Sequence, residues 1–184
     1  ARAGGHRAGA HRTIGRRDGL SKLLVAWEFG GGMGHLTAVS ALAAKLAAAG
    51  HEVVLAVPEP RRARAELDRR GAAGAGIRCV AGLRWRVRRA LGGDPRAAPT
   101  RTLAEAMALF GWDEAERIGP PAKFWWDLVA AERPDAVVGD FAPTLRLASA
   151  GVAPMASVGT GYSMPPFGRV LPPLRPWRRS VPPA

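Results

Sequence analysis

The chain has 184 residues, 47% of them hydrophobic and 23% charged, with a formal net charge of +12. That length suits one α/β domain with a sizeable core plus tails, and the composition excludes disorder through the middle of the chain. No apolar run reaches the roughly 18–20 residues that cross a bilayer, and a single cysteine, Cys79, excludes an internal disulfide framework and fits a reducing, cytoplasmic setting.

Residues 1–21 are rich in Gly, Arg and Ala without a hydrophobic period, and read as a disordered basic tail. The missing initiator Met points to a fragment. Leu23–Trp27 is a short apolar run ending at a glycine cluster, Gly30-Gly31-Gly32-Met33-Gly34. Leu36, Val39, Leu42, Ala43 and Leu46 then recur at helical spacing until Gly50 closes the segment. Val53–Val57 is a second buried strand, residues 61–70 a helix ending at Gly71, and Ile77–Val80 a third strand. Residues 81–100 form a long basic connection. Helices are expected over Leu103–Phe110 and Ala122–Ala131, the second carrying Phe124, Trp125 and Trp126 as packing residues. Ala136–Asp140 is a strand, Thr144–Ala150 a helix and Pro154–Val158 a last short strand. Repeated prolines from Pro165 onward forbid regular elements. Alternating strands and helices with continuously apolar strands predict an α/β, Rossmann-like parallel sheet flanked by helices.

The positive charge is almost all arginine, with twelve between Arg61 and Arg101 against Glu66, Asp68 and Asp94. With so much Ala, Gly and Pro, this skew fits GC-rich coding as readily as a polyanion partner. The run Arg84-Trp85-Arg86-Val87-Arg88-Arg89 defines an alternative function, a basic binding module docking on anionic lipid headgroups or nucleic acid. Peripheral membrane contact is the partner such a module would add. The four histidines, His6, His11, His35 and His51, have no ligand companions at zinc spacing, so no metal site is expected.

The glycine loop sits between a strand and a helix, at the carboxyl edge where open α/β sheets bind ligands. Gly30 and Gly32 start a dinucleotide fingerprint, but His35 occupies the third glycine position and no acidic residue ends the second strand. The Gly-Lys-Ser/Thr of a triphosphate loop is absent. His35 can instead accept a proton from a hydroxyl, its neutral form favoured by the helix N-terminus, or it can simply cap the helix. Asp140 ends a strand at the same edge, where a carboxylate can orient an imidazole or cap the next helix. Glu28 is a weaker candidate, expected to hold the loop.

The segment Leu24–Gly50 followed by His51-Glu52-Val53-Val54, with Arg133-Pro-Asp-Ala-Val-Val-Gly-Asp140, resembles bacterial glycosyltransferases of the UDP-glycosyltransferase-like, GT-B group. Gly159-Thr160-Gly161-Tyr162 and the Pro-Pro-Leu-Arg-Pro-Trp ending at Trp177 resemble one sub-branch of it. The similarity covers roughly residues 22–177. It implies the N-terminal half of a GT-B fold: a Rossmann-like acceptor-side domain over 22–164 and a Pro-rich tail over 165–184 leading to a second domain. The resemblance makes His35 the catalytic base and Asp140 its partner. Gly31, Gly32, Gly34, Thr160 and Gly161 become candidate acceptor-binding positions. It implies a small-molecule acceptor rather than nucleic acid, a nucleotide-sugar co-substrate held by the second domain, and no cofactor or metal. The donor-binding motifs are not in this sequence, so this stretch alone is expected to be inactive: a fragment, a truncated product or one partner of a split enzyme.

Overall fold

Apolar runs pair side by side into one parallel sheet in the computed structural model, which describes residues 19–30, 32–85, 107–108 and 110–159. In chain order the elements are β1 (Lys22–Trp27), α1 (Met33–Ala48), β2 (Glu52–Val57), α2 (Pro60–Arg69), β3 (Arg78–Ala81), α3 (Ala115–Glu132), β4 (Ala136–Asp140), α4 (Pro143–Ser149) and β5 (Met155–Val158). The strand order is β3-β2-β1-β4-β5. This is the Rossmann-like α/β arrangement expected from the sequence, with β1 at its centre.

Side chains alternate across each strand, so the sheet feeds two separate cores. Val25, Trp27, Val53, Leu55 and Val57 pack under Leu36, Val39 and Ala43 of α1 and Ala63 and Leu67 of α2. Leu24, Ala26, Val54, Ala56 and Val137 pack under Trp125 and Val129 of α3 and Leu145 and Ala148 of α4. Burial on both faces explains why β1 and β2, after their charged first residues, are continuously apolar rather than alternating.

The amino-terminal edge of the sheet is closed by charge. Lys22 lies 3.2 Å from both Glu52 and Glu132, Arg78 pairs with Glu132, and the Lys22 amide donates to Asp135 at 2.8 Å. These contacts draw β1, β2, β3 and the start of β4 together at one end. The other end, at the strand carboxyl termini, is left for loops.

Two expectations shift. The helix expected over Ala122–Ala131 starts at Ala115 and runs through Pro120 and Pro121, which lack the N–H groups that normally bond a helix turn. A proline pair reads as a breaker, yet the buried Trp125 and Val129 anchor the following turns to the sheet. Of the three adjacent aromatics, Trp125 is fully buried and Phe124 packs beside it, whereas Trp126 is 52% exposed. The helix expected over Leu103–Phe110 falls largely outside the described residues, with Met107 and Ala108 helical. The basic and Pro-rich tails and the domain limit at 164 also fall outside them, apart from residues 19–21. No helix among the described residues is long and apolar enough to cross a membrane.

Leu24 is fully buried in the central strand against α3 and α4. Leu24→Ala should cost about 2–5 kcal/mol of unfolding free energy, read from the midpoint of a denaturant titration.

Candidate active site

The parallel pairing of β1 with β4 sets Trp27 beside Asp140 at the carboxyl edge. The chain leaves β1 toward β2 on one side, while β4 lies on the other, so a crevice opens between these two strand ends. After β1 the backbone turns through Gly30 at φ +95 and enters α1 with Gly32 at the N-cap. His35 is the third residue of that helix.

Its imidazole Nδ1 lies 2.8 Å from Asp140 Oδ2. The ring stacks on the Trp27 indole, with centroids 5.5 Å apart and planes 13° from parallel. Asp140 is buried and His35 half-buried, so the carboxylate is shielded while the imidazole stays partly open to solvent. A Cβ at Gly30 would fall 2.7 Å from His35 Nε2, so the ring packs directly over that glycine. Both the left-handed backbone and the missing side chain are therefore needed here.

The capping alternatives give way to this pairing. α1 has no side-chain cap, and His35 lies inside the helix rather than before it. Asp140 does not cap α4, whose N-cap position is Ala142. The second oxygen of Asp140, Oδ1, is buried without a hydrogen-bond partner among the described residues. Phe141, the next residue, takes φ 45, strained for a side chain of that size, and its carbonyl accepts the Phe29 amide at 3.0 Å.

Glu28 does something other than hold the loop. It is 1% exposed, and its Oε2 accepts the amides of Thr144 at 3.0 Å and Leu145 at 3.3 Å. Pro143, at the first position of α4, has no amide to offer, so Glu28 caps that helix from the residue just after β1. Its Oε1 accepts the Trp85 indole N–H at 2.8 Å. Burial pushes the Glu28 carboxyl up to about 7, against the opposing pull of the Trp85, Leu145 and Thr144 N–H groups. The Trp125 indole also faces it, beyond full hydrogen-bond geometry. Trp85 in turn stacks on Phe29 at 4.8 Å, within a ring of Phe110, Trp112 and Phe141.

Beside the glycine loop lies a cavity of about 250 Å³. The loop and α1 supply Gly30, Gly32, Met33 and Leu36 to its wall, β1 and its end supply Trp27 and Glu28, and the far side is Pro58, Glu59, Arg62, Arg84 and Trp85. Among the predicted loop positions, Gly32 lines this cavity. Gly34 is exposed on the first turn of α1, with open space where a Cβ would stand. Gly31, Thr160 and Gly161 lie outside the described residues, as do Arg86, Arg88 and Arg89 of the basic run. Arg84, the first of that run, pairs with Glu59 at 2.7 Å. Among the described residues no group of three or more His, Cys, Asp or Glu side chains is placed to hold a metal ion.

No protein-family model matches the chain, and no curated protein does. Solved structures do. The chain is similar to the spinosyn rhamnosyltransferase SpnG complexed with thymidine diphosphate, at 26% identity over 74% of this chain and 34% of that one, with a TM-score of 0.45. It is similar to the glycosyltransferase SnogD from Streptomyces nogalater, at 23% identity over 74% and 33%, with a TM-score of 0.42. Glycyrrhiza uralensis UGT73P12, complexed with glycyrrhetinic acid 3-O-monoglucuronide, matches at 17% identity over 76% and 28%, with a TM-score of 0.48. The chain spans about a third of the length of the solved structures it matches.

Gly30→Ala should drive the imidazole off Asp140, because a Cβ there meets His35 Nε2. A downfield NMR signal from a hydrogen-bonded Nδ1 proton is expected in the wild type and should be lost in this variant. Glu28 generates a second expectation. Its raised carboxyl binds its proton more tightly in the folded than in the unfolded chain, so its contribution is complete below the ordinary carboxyl range. That contribution should be lost as pH rises toward about 7, by roughly 3 kcal/mol in total. Melting temperatures measured between pH 5 and about 8 should fall in the wild type and flatten in Glu28→Gln.

Proposed function

We propose that the chain is the acceptor-side domain of a GT-B glycosyltransferase, in which His35 serves as the base and Asp140 orients it. The observation that carries this reading is the 2.8 Å contact between His35 Nδ1 and Asp140 Oδ2 at the strand edge. An ionised carboxylate only accepts, so the Nδ1–H donates to it and the lone pair stays on Nε2. Nε2 then takes the proton from an acceptor hydroxyl as its oxygen attacks the anomeric carbon of a nucleotide sugar. The bond from that carbon to the diphosphate breaks, and the nucleotide leaves with the electron pair. Asp140 offsets the charge that the imidazole gains.

The Gly-His opening of α1 and the Asp-ended strand β4 support the family reading; the geometry supports the pairing of the two residues. The nucleotide sugar belongs to a second domain, outside this sequence, and no metal or cofactor enters the chemistry. The acceptor is a small molecule approaching from the crevice side, and the setting is cytoplasmic.

In a protein that carries this domain together with a donor-binding domain, His35→Ala should lower sugar transfer roughly 10²–10⁴-fold with a smaller effect on donor affinity. Asp140→Asn should also lower turnover, and the double variant should lose little beyond the worse single one, since the pair acts as a unit. Additive losses in steady-state kinetics would end the dyad.

A further inference from the structure

The cavity beside the glycine loop has two kinds of wall. Trp27, Met33, Leu36, Pro58 and Trp85 supply apolar and aromatic surface, and Arg62 and Arg84 supply charge. Both guanidiniums share one carboxylate: Arg62 Nε lies 2.6 Å from one oxygen of Glu59, and Arg84 Nη2 lies 2.7 Å from the other. Glu59 thus occupies one nitrogen of each arginine. Among the described residues the remaining donors of these two side chains meet no other carboxylate within ion-pair distance. The other acid of the wall among the described residues is Glu28, which has both oxygens engaged by N–H groups. Among the described residues the cavity therefore holds two cations against one available anion, with N–H donors left over.

We propose that this cavity binds a small aromatic carboxylate, its ring against Trp85 and the apolar wall and its carboxylate on Arg62 and Arg84. The size fits a single substituted ring: about 250 Å³ lies below the roughly 300–1,000 Å³ of sites for drug-sized ligands. The chemistry fits too. Guanidinium forks match a carboxylate in geometry as well as charge, and an indole offers a flat apolar face. Trp85 is held in place by its hydrogen bond to Glu28 and its stacking on Phe29, so the wall is set before a ligand arrives. Gly30 belongs both to the cavity wall and to the surface under the His35 ring, which brings the ligand beside the His–Asp pair. That the bound acid is also the sugar acceptor rests on the sugar-transfer reading; that the cavity binds it does not.

The test measures binding of 4-hydroxybenzoate and of its uncharged methyl ester to this chain at neutral pH, by isothermal titration calorimetry and ligand-observed NMR. The acid should bind about ten-fold or more tightly than the ester, the effect expected of a charge-assisted contact. Arg84→Gln and Arg62→Gln should each remove most of that preference. Arg61→Gln lowers the net charge equally but changes an exposed side chain outside the cavity, and should leave the preference intact. Equal affinities for acid and ester, no binding of the acid, or an Arg61→Gln effect as large as that of Arg84→Gln would overturn the proposal. None of those results touches the His35–Asp140 kinetics. Conversely, additive His35 and Asp140 losses would leave a selective, Arg84-dependent acid site standing.

Discussion

The pairing of β1 with β4 is the constraint on which the site depends. It aligns Trp27 with Asp140, and the other parts of the crevice are measured from those two residues. The Trp27 indole is the platform for the imidazole, Asp140 supplies the carboxylate, and the turn through Gly30 delivers α1 at the height where its third residue bridges them. A register slip of one residue would reverse the faces of the strand and bury Asp140 on the wrong side. The continuous apolar packing on both faces of β1 opposes such a slip, so core packing and site geometry are fixed by the same contacts.

Glu28 provides a second layer of order. A buried carboxylate is costly unless its oxygens are satisfied. Here three N–H donors converge on it from two segments, α4 and the connection after β3. One group therefore joins the helix that follows Asp140 to the tryptophan that walls the cavity. The strained backbone at Phe141 lies between these parts, its carbonyl tied to Phe29. The carboxyl edge of the sheet is thus braced from both sides of the central strand.

Much of this fold was legible in the sequence because parallel strands buried on both faces must be apolar throughout. Leu23–Trp27, Val53–Val57 and Ala136–Asp140 announce themselves that way, and Gly50 and Gly71 mark the turns after the helices. The common edge of His35 and Asp140 followed from the same logic, since one opens a helix and the other ends a strand. Their hydrogen bond did not follow, because it depends on the Trp27 platform and on the space left at Gly30. The role of Glu28 was hidden for a different reason. Its partners lie 57, 116 and 117 residues away, and no local pattern records a contact of that range. Trp85 sits in a stretch without period, where composition suggested a basic loop or an anion-docking module rather than a wall packed on Phe29. The start of α3 was misplaced because a proline pair weakens a helix locally, while the packing of Trp125 and Val129 acts from further along the chain.

The central place of β1 also governs the order of assembly. Its partner β2 follows after one helix, so the first three strands with α1 and α2 close by short connections. β4 arrives much later: the Lys22 amide meets a carboxylate 113 residues onward, and His35 meets Asp140 across 105. Contacts of such separation close slowly, because the entropy of the intervening loop is lost before they form. A chain emerging from the ribosome therefore presents one naked edge of its central strand until Ala136–Asp140 has been made. That interval is when nascent chains would meet and stick, edge to edge, and when a chaperone has most to protect.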